Sequence, residues 1–497
     1  MENHELRCAI DLGTTSFKAM VVDHEGKVVF EKQSRITMDT DASGAATQKT
    51  DEVWATFVML IKEMTDFANQ QQKSIAWISL SAAMHSLIAV TNEGEPLTPV
   101  FTWMDRRAQE KAKSLWEDPD GSALYERTGT PIHAMSPMVK LLWLSSFDSD
   151  VWGKKPRFVS IKEWLWYRLF GVFEVDEATA GATGLYDLKQ KKWCDDALSL
   201  VGITQQQLST IVSTTYTRER LQADRKDELG LSFSLTVMIG ATDGVLANLA
   251  HRALTSDRMV LTIGTSMALR MGSERVITDS ALRSFCYPLL PKRYVVGLPS
   301  NCGGVVIEWV LYALLGEDRA ATSFQEAMMR IQEIDTGSLY CLPYAAGERA
   351  LLWDEGASAS FHGLAIHQSK VHLLRAAVEG VLFHAYRIYL ALTLNMGQPN
   401  VLILSGKLFH IAWIAQFCAD LFHLPVEVSA QEDASMLGAL LLTTCVDDVP
   451  FFEEAQEANV LMQYVPNQQA TNFWQERFTR YLAIAQHEEK NEASTRC

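Results

Sequence analysis

The chain has 497 residues, of which 48% are hydrophobic and 21% are charged, and its formal net charge is -16. A chain of this length exceeds what one hydrophobic core usually organises, so two large domains are expected. The negative charge argues against a nucleic-acid-binding protein, which would normally carry a basic stripe. No apolar stretch approaches the roughly 18 residues of a membrane span, and residues 1–7 lack the apolar core of a signal peptide, so we expect a cytoplasmic protein.

The eight cysteines are scattered along the chain and form no CxxC pair. Their spacing is not typical of a metal site, and a chain this long does not need a disulfide framework to be stable. We therefore expect reduced, structural cysteines. They are Cys8, Cys194, Cys286, Cys302, Cys341, Cys418, Cys445 and Cys497.

The first thirty residues predict a β-meander. Residues 7–12 and 17–22 are apolar runs, and they flank the turn sequence Gly13-Thr14-Thr15-Ser16. A second turn at 23–26 leads into residues 27–33, which alternate as a strand would. Three short strands with two tight connections are therefore expected.

Helical and strand-like segments alternate after the meander. Residues 51–68 show helical periodicity, and residues 75–79 return to a strand pattern. Farther along, the apolar run 235–239 leads into Ala241-Thr242-Asp243-Gly244, so Asp243 is predicted at a strand end beside small residues that leave room for a ligand. This alternation predicts an α/β protein.

One strand–turn–strand device occurs twice, about half the chain apart. Residues 258–263 and 267–271 are apolar runs that flank Gly264-Thr265-Ser266, as the first two runs flank Gly13-Thr14-Thr15. Such a repeat predicts two related domains, although Gly-Thr turns are common in any hairpin. We expect the boundary between residues 244 and 256.

The two Gly-Thr turns offer a way to bind phosphate, because the sequence contains neither a GxxxxGK[ST] loop nor a GxGxxG loop. Glycine permits close backbone approach, adjacent amide groups can form an anion nest, and threonine hydroxyls add donors. Asp11 ends the first strand, where its carboxylate could hold Mg²⁺ or could simply cap the turn. Asp243 could accept the proton of an alcohol during phosphoryl transfer, although Thr-Asp-Gly is also a common plain turn.

Seven segments resemble the FGGY carbohydrate kinases, and the resemblance covers nearly the full length. They are Asp11-Leu12-Gly13-Thr14-Thr15 with Lys18, Ala83-Met84-His85-Ser86, Trp103-Met104-Asp105-Arg106-Arg107, Ser136-Pro137-Met138-Val139-Lys140-Leu141-Leu142-Trp143, Ala241-Thr242-Asp243-Gly244, Thr262-Ile263-Gly264-Thr265-Ser266 and Gly347-Glu348-Arg349. The resemblance implies a two-domain α/β ribonuclease H-like/actin-like ATPase fold with a cleft between duplicated domains. It implies a sugar-binding N-terminal domain over 1–245 and a nucleotide-binding C-terminal domain over 246–450, followed by a helical tail over 451–497. Within that tail the residue pattern itself predicts an amphipathic helix at 472–485.

The resemblance also implies a role for individual residues. Asp243 matches the catalytic base, and Asp11 matches the acidic residue on the Mg²⁺ side. Phosphate and nucleotide contacts are expected from Gly13, Thr14, Thr15, Gly264, Thr265, Gly304 and Gly406. Sugar contacts are expected from Met84, His85, Trp103, Asp105 and Lys162.

A sugar-acid carboxylate would need a cation, and Lys162, His133 and Arg107 are the candidates, with Lys162 preferred. Structural roles stay open for two of the sugar-site residues. His85 could be a core histidine whose hydrogen bonds are satisfied internally, and Lys162 could form a surface pair with Glu163.

Within the family the chain is most similar to gluconate kinases. The similarity lies in Met84-His85-Ser86, Arg127-Thr128-Gly129-Thr130-Pro131-Ile132-His133 and Ile161-Lys162-Glu163. It implies ATP-dependent phosphorylation of gluconate to 6-phosphogluconate, with ATP and Mg²⁺ as cofactors. The protein would bind neither nucleic acid nor membrane, and it could form a homodimer. A pentulose kinase acting on xylulose or ribulose is the alternative.

The second half departs from the family pattern near the expected nucleotide site. Lys407 stands where the second residue of a Gly-Gly pair is expected, and Ser358-Ala359 stands in place of an Arg-Gly pair. The Lys407 side chain could block close approach to a nucleotide, or its ammonium could meet a phosphate. A sugar-binding regulatory paralogue with a degenerate nucleotide site and weak catalysis therefore stays open.

Overall fold

The computed structural model describes residues 5–231, 235–447 and 460–495. It divides into two compact units, each assembled from three separate stretches of chain. Unit 1 comprises Met1–Leu254, Ser273–Val296 and Asp433–Glu457, and unit 2 comprises Thr255–Gly272, Gly297–Glu432 and Ala458–Cys497. The family resemblance predicts continuous domains over 1–245, 246–450 and 451–497. A division by compactness does not test those bounds, so they stay a prediction.

The strands are numbered in chain order. β1 to β24 are Glu5–Leu12, Ser16–Val22, Val28–Arg35, Asp39–Thr40, Ala46–Gln48, Ser74–Ala82, Ile88–Val90, Val100–Phe101, Arg157–Val159, Glu174–Asp176, Tyr186–Asp187, Lys192–Trp193, Thr210–Val212, Thr217–Arg218, Thr236–Thr242, Arg258–Ile263, Met267–Ser273, Phe285–Leu290, Arg293–Ser300, Tyr340–Leu342, Ser360–His362, Val401–Ser405, Val426–Ser429 and Val460–Tyr464.

The helices are numbered in the same way. α1 to α16 are Thr50–Gln70, Gln109–Glu117, Pro119–Thr128, Pro137–Phe147, Ser149–Gly153, Ile161–Phe170, Glu177–Gly181, Asp195–Val201, Ala223–Leu229, Asp243–Ala250, Gly304–Glu308, Phe324–Arg330, Lys370–Met396, Ala412–Phe422, Ala434–Asp447 and Gln468–Thr495. Among the described residues, none of these helices is both long enough and apolar enough to span a bilayer.

The main sheet of unit 1 has the strand order β14-β15-β6-β1-β2-β3. β1, β2 and β3 pair antiparallel, which confirms the predicted meander. β1 pairs parallel with β6, and β6 pairs parallel with β15. The carboxyl ends of β1, β6 and β15 therefore lie side by side at one edge of the sheet.

α1 covers one face of this sheet and includes the predicted helix 51–68. Its buried residues include Val53, Phe57, Leu60 and Met64, which recur every three to four positions and so form one apolar stripe. The stripe belongs to the same core as Ile10 of β1. The period of the sequence thus determined both the helix and the face that it buries.

α15 belongs to unit 1 although it follows β23 of unit 2 in the sequence. It packs against α10 at Gly438, where an added Cβ would lie 2.0 Å from the carbonyl oxygen of Leu246. Arg7 of β1 donates a buried hydrogen bond of 2.5 Å to Thr443 of the same helix. The absence of a side chain at Gly438 thus lets α15 approach the backbone of α10.

The sheet of unit 2 repeats the pairing of unit 1. β16 pairs antiparallel with β17 and parallel with β22, and β22 pairs parallel with β23. These four strands correspond to β1, β2, β6 and β15 in order and direction. The duplicated strand–turn–strand device is therefore confirmed as part of a repeated sheet topology.

The C-terminal region is not wholly helical, and in this respect the prediction for 451–497 is wrong. β24 pairs antiparallel with β23 before α16 begins. An unpaired edge strand exposes backbone donors and acceptors, and pairing with β24 satisfies those of β23. The helix itself is confirmed and is longer than predicted, whereas residues 448–459 lie outside the described ranges.

We expect Gly438→Ala to lower the free energy of unfolding by about 1–3 kcal/mol, because the methyl group would meet backbone that cannot rotate away. Urea unfolding followed by circular dichroism measures this change. Gly153→Ala in α5 is the matched control, since a Cβ there meets no described atom within 4 Å. Equal stability of the two variants would contradict the close packing of α15 on α10.

Candidate functional site

Three of the predicted site segments leave the unit 1 sheet at the same edge. Leu12 of β1 and Thr242 of β15 both pair with Ala82 of β6. Residues 13–15, the segment 83–86 and Asp243 come directly after these strand ends. We call this set the unit 1 edge. In open α/β sheets, ligands usually bind at the carboxyl ends of parallel strands.

Two carboxylates and a lysine meet at the end of β1. Asp11 lies opposite Lys18 in the β1–β2 pair and accepts a 2.6 Å hydrogen bond from Ser81. Lys18 also forms an ion pair with Asp433, directly before α15. Burial raises the pKa of Asp11, the Asp433 charge adds to this effect, and Ser81 and Lys18 oppose it. The sequence analysis missed Asp433, because only the docking of α15 brings it to β1.

The turn at residues 13–15 is fixed by two side chains from elsewhere in unit 1. Gln48 Nε2 donates to the carbonyl oxygen of Thr14 at 2.7 Å, and Trp103 Nε1 donates to the Thr14 hydroxyl at 3.0 Å. A Cβ on Gly13 would lie 2.5 Å from the carbonyl oxygen of Ser16, so the turn requires glycine there. Trp103, predicted as a sugar contact, thus also positions the predicted phosphate turn.

His85 adopts a left-handed backbone conformation, with φ 67°. Its Nδ1 lies 2.7 Å from the carbonyl oxygen of Ala182, so Nδ1 carries a proton and donates to that oxygen. The ring meets Tyr287 edge-on at 6.0 Å. Met84 is partly buried and packs against the core that contains Tyr287. Both predicted sugar residues are thus held by unit 1.

A pocket of unit 1 lies beside His85. Its mainly apolar wall also carries the polar residues Ser86, Ser160, Glu163 and Thr183. Ser86 and Ser160 border the start of α6, where the Ser86 hydroxyl accepts a 3.0 Å hydrogen bond from the amide of Ile161. Hydroxyl groups next to His85 are chemically suited to a polyhydroxylated ligand.

Lys162 is not part of a surface pair, and that alternative interpretation is wrong. Its side chain is 1% exposed, and its ammonium lies 2.6 Å from Asp176 Oδ2. Glu163 instead caps α6 through Ser160. Burial lowers the pKa of Lys162, whereas the charges of Asp176, Glu163 and Asp243 act in the opposite direction. The carboxylate-binding role of Lys162 stays a prediction.

Asp105 and Arg107 are already paired with each other. Arg107 donates to both oxygens of Asp105, at 3.0 Å from Nε and 2.5 Å from Nη2. The backbone amide of Ala46 donates to the same carboxylate at 3.3 Å. The Arg107 guanidinium lies 4.5 Å from the ring centre of Trp143. A sugar hydroxyl that donates to Asp105 would therefore share the carboxylate with Arg107 and the amide of Ala46. The sugar contact of Asp105 stays a prediction.

Four predicted nucleotide residues come together in unit 2. The amide of Gly304 donates to the carbonyl oxygen of Gly264 at 2.8 Å, and that of Val305 donates to Thr265 at 3.1 Å. A Cβ on Gly304 would lie 2.7 Å from Gly264, and one on Gly406 would lie 2.1 Å from Ile263. Close backbone packing therefore explains these glycines, and their contact with a nucleotide stays a prediction.

Lys407 follows Gly406 at the start of a 3₁₀ turn, Lys407–His410. Its side chain is 79% exposed, and its ammonium lies 3.2 Å from Glu432 Oε2. An exposed pair of this kind contributes little to stability and can rearrange at small cost. The Lys407 side chain is therefore not packed into the interior of unit 2.

Lys140 is a buried residue of this region to which the sequence analysis assigned no role. Its side chain is 1% exposed, and its ammonium donates to the carbonyl oxygens of His85, at 3.1 Å, and Met135. Burial lowers its pKa to about 7, and the charge of Asp105 opposes this shift. Lys140 and His85 are 55 residues apart in the sequence, so no local pattern predicts their contact.

We expect wild-type stability to rise relative to Lys140→Met as the pH rises from about 7 towards 10. The folded protein releases the Lys140 proton near pH 7, whereas the unfolded chain keeps it until near 10.5, so unfolding takes up a proton in this window. The slope is at most ~1.4 kcal/mol per pH unit. Urea unfolding at pH 7, 8 and 9 measures it.

Lys113→Met, at an exposed position of α2, is the control for this experiment. Its stability relative to wild type should be nearly constant over the same range. Parallel pH profiles for wild type and Lys140→Met would show that the buried lysine does not titrate there.

Comparison with known proteins agrees with these features. Residues 6–250 match the N-terminal domain of the FGGY family of carbohydrate kinases, and residues 259–445 match its C-terminal domain. Gluconokinase of Bacillus subtilis (strain 168) is 35% identical over 449 residues, which cover 87% of this chain and 86% of that protein.

Two solved structures from Lactobacillus acidophilus have a similar fold. Its gluconate kinase superposes with a TM-score of 0.89 at 29% identity, covering 98% of both chains. Its ligand-bound xylulose kinase superposes with a TM-score of 0.88 at 29% identity, covering 97% of this chain and 98% of that one. The expected α/β, actin-like fold is thereby confirmed. The chain belongs to the FGGY family of carbohydrate kinases, phosphotransferases that use ATP to phosphorylate a sugar hydroxyl.

Proposed function

We propose that this kinase phosphorylates a terminal hydroxyl of gluconate to give 6-phosphogluconate, with Asp243 as the general base. The observation that supports it most is the unit 1 edge, where Asp243, His85 and the turn next to Asp11 follow three adjacent parallel strands. The identity of 35% to a gluconokinase supports the choice of substrate.

Asp243 is the first residue of α10, and its Oδ1 accepts a 2.7 Å hydrogen bond from the amide of Gly244. A helix N-terminus favours the negative form of a carboxylate, which is the form that accepts a proton. The positive charge of Lys162 acts in the same direction, since the two residues interact electrostatically. In the proposed mechanism Asp243 takes the proton of the sugar hydroxyl as that oxygen attacks phosphorus.

Mg²⁺ is the proposed metal, and Asp11 would hold it directly or through water. The oxygen atoms of Asp11 and of the neighbouring Asp433 are hard ligands of the kind that Mg²⁺ prefers. When bound, the ion would neutralise charge on the phosphates of ATP. Thr14, Thr15 and Thr265 are the proposed phosphate contacts, together with the glycines of both turns.

Met84, His85, Trp103 and Asp105 are the proposed sugar contacts, with Lys162 for the carboxylate. His85 would contact a sugar hydroxyl through Nε2, because Nδ1 is committed to Ala182. Lys162 would have to share its ammonium between Asp176 and the ligand. A xylulose-type substrate is the second candidate, because the xylulose kinase structure is as similar in sequence as the gluconate kinase structure.

We propose a cytoplasmic enzyme that could form a homodimer, and both statements rest on the sequence expectation. In the regulatory alternative the protein binds sugar but transfers phosphate weakly, and the substrate panel tests it. The exposed position of Lys407 weighs against it, since that side chain can move away from a bound nucleotide.

We expect Asp243→Asn to lower kcat by ~10²–10⁴-fold while gluconate binding changes little, because only the proton acceptor is lost. Turnover is measured by ADP release, and binding by calorimetry without ATP. Asp195→Asn, at an exposed aspartate paired with Lys192, is the control and should retain wild-type turnover. A near-normal kcat in Asp243→Asn would remove Asp243 from the role of base.

We expect ADP release with Mg-ATP to be fastest with gluconate in a panel that also contains xylulose, ribulose and glycerol. Faster turnover of a pentulose would mean that the protein is a pentulose kinase of the same family. Absence of turnover across the panel, together with a gluconate-dependent rise in melting temperature, would favour the regulatory alternative.

A further inference from the structure

Three metal-ligating side chains from distant parts of the sequence meet inside unit 2. They are Cys302, two residues after β19, Glu348 of the Gly-Glu-Arg segment, and His384 in the middle of α13. All three are fully buried, and their ligand atoms all lie within 4.8 Å of one another. The kinase function proposed above assigns no role to this cluster.

His384 and Glu348 approach each other as a close buried pair. His384 Nε2 lies 3.3 Å from Glu348 Oε1, and apart from this contact neither atom has a hydrogen-bond partner among the described residues. The same holds for His384 Nδ1. A buried polar atom normally has a partner, so Nε2 and Oε1, which have only each other, are suited to a common third one.

The other oxygen of Glu348 is held in place by its surroundings. Oε2 accepts from the Ser300 hydroxyl at 2.9 Å and from the amides of Asn301 and Cys302 at 3.2 and 3.3 Å. The carboxylate is therefore oriented so that Oε1 faces His384. Outer hydrogen bonds that orient a ligand in this way are typical of metal sites.

We propose that Cys302, Glu348 and His384 bind a zinc ion inside unit 2. Sulfur, imidazole nitrogen and carboxylate oxygen are the ligands that zinc uses in proteins. With zinc–nitrogen and zinc–oxygen bonds of about 2.0–2.1 Å, tetrahedral ligands lie about 3.3–3.4 Å apart. The distance from His384 Nε2 to Glu348 Oε1 agrees with this value.

The Cys302 thiol supplies the third ligand. Its Sγ lies 2.8 Å from Glu348 Oε2 and 3.2 Å from the carbonyl oxygen of Pro343. On binding, zinc replaces the thiol proton, which is released to solvent, and the sulfur–zinc bond forms without any change in oxidation state. The Pro343 carbonyl or a water molecule would complete four-coordination.

The charges of the proposed site balance. One thiolate, one carboxylate and one neutral imidazole around a divalent cation leave no net charge in the interior of unit 2. The sequence analysis expected no metal site at the cysteines, because they have no local ligand spacing. The cluster has none because its three ligands are far apart along the chain, and the fold alone brings them together.

The test is the zinc content of the full-length protein, purified without chelators from zinc-supplemented cells. Inductively coupled plasma mass spectrometry should find about one zinc per wild-type chain and almost none in Cys302→Ala and His384→Gln. Cys418→Ala is the matched control, because Cys418 is an equally buried cysteine of unit 2 outside the cluster. It should retain about one zinc per chain.

A second measurement on the wild type covers the case in which the variants fail to fold. Dialysis against a chelator should remove the zinc and lower the melting temperature, and added Zn²⁺ should restore it in a one-to-one titration. A wild-type protein that contains no zinc and shows no rise in melting temperature with Zn²⁺ would overturn the proposal. Glu348 and His384 would then be a buried ion pair only. This result is independent of the kinase assays.

Discussion

The parallel pairing of β6 with both β1 and β15 is the constraint on which the rest of unit 1 depends. Because Leu12 and Thr242 share the partner Ala82, three strands that are far apart in sequence end at the same level of one sheet. A shift of one residue in either pair would turn the side chains that follow to the other face. The register therefore determines where the turn at 13–15, the segment at His85 and Asp243 begin.

Two buried lysines, Lys162 and Lys140, lie close to the residues of the unit 1 edge, and their partners differ in kind. Lys162 pairs with Asp176 and adds a positive potential at Asp243. Lys140 instead donates to backbone carbonyl groups, including that of His85. An unpaired charge at such depth would be costly, and these contacts reduce that cost while they fix the backbone next to the proposed sugar site.

Unit 2 reaches a comparable arrangement mainly through glycine. Gly304 and Gly406 let two segments approach the turn at 264–266 more closely than any side chain would allow. Backbone amides around this turn donate to Gly264 and Thr265. In unit 1, by contrast, the corresponding turn is held by the side chains of Gln48 and Trp103. The repeated topology is thus stabilised by different chemistry in its two copies.

The sequence by itself determined the elements with strong local signals: the meander, α1, the two strand–turn–strand devices and the family. Periodicity and turn residues act over a few positions, so they can be read without the fold. Only the tertiary structure decided the contacts of Asp433 with Lys18, of Lys140 with His85, and of Cys302, Glu348 and His384 with one another. These residues are far apart along the chain, and no local pattern records which helix or loop will dock beside which strand.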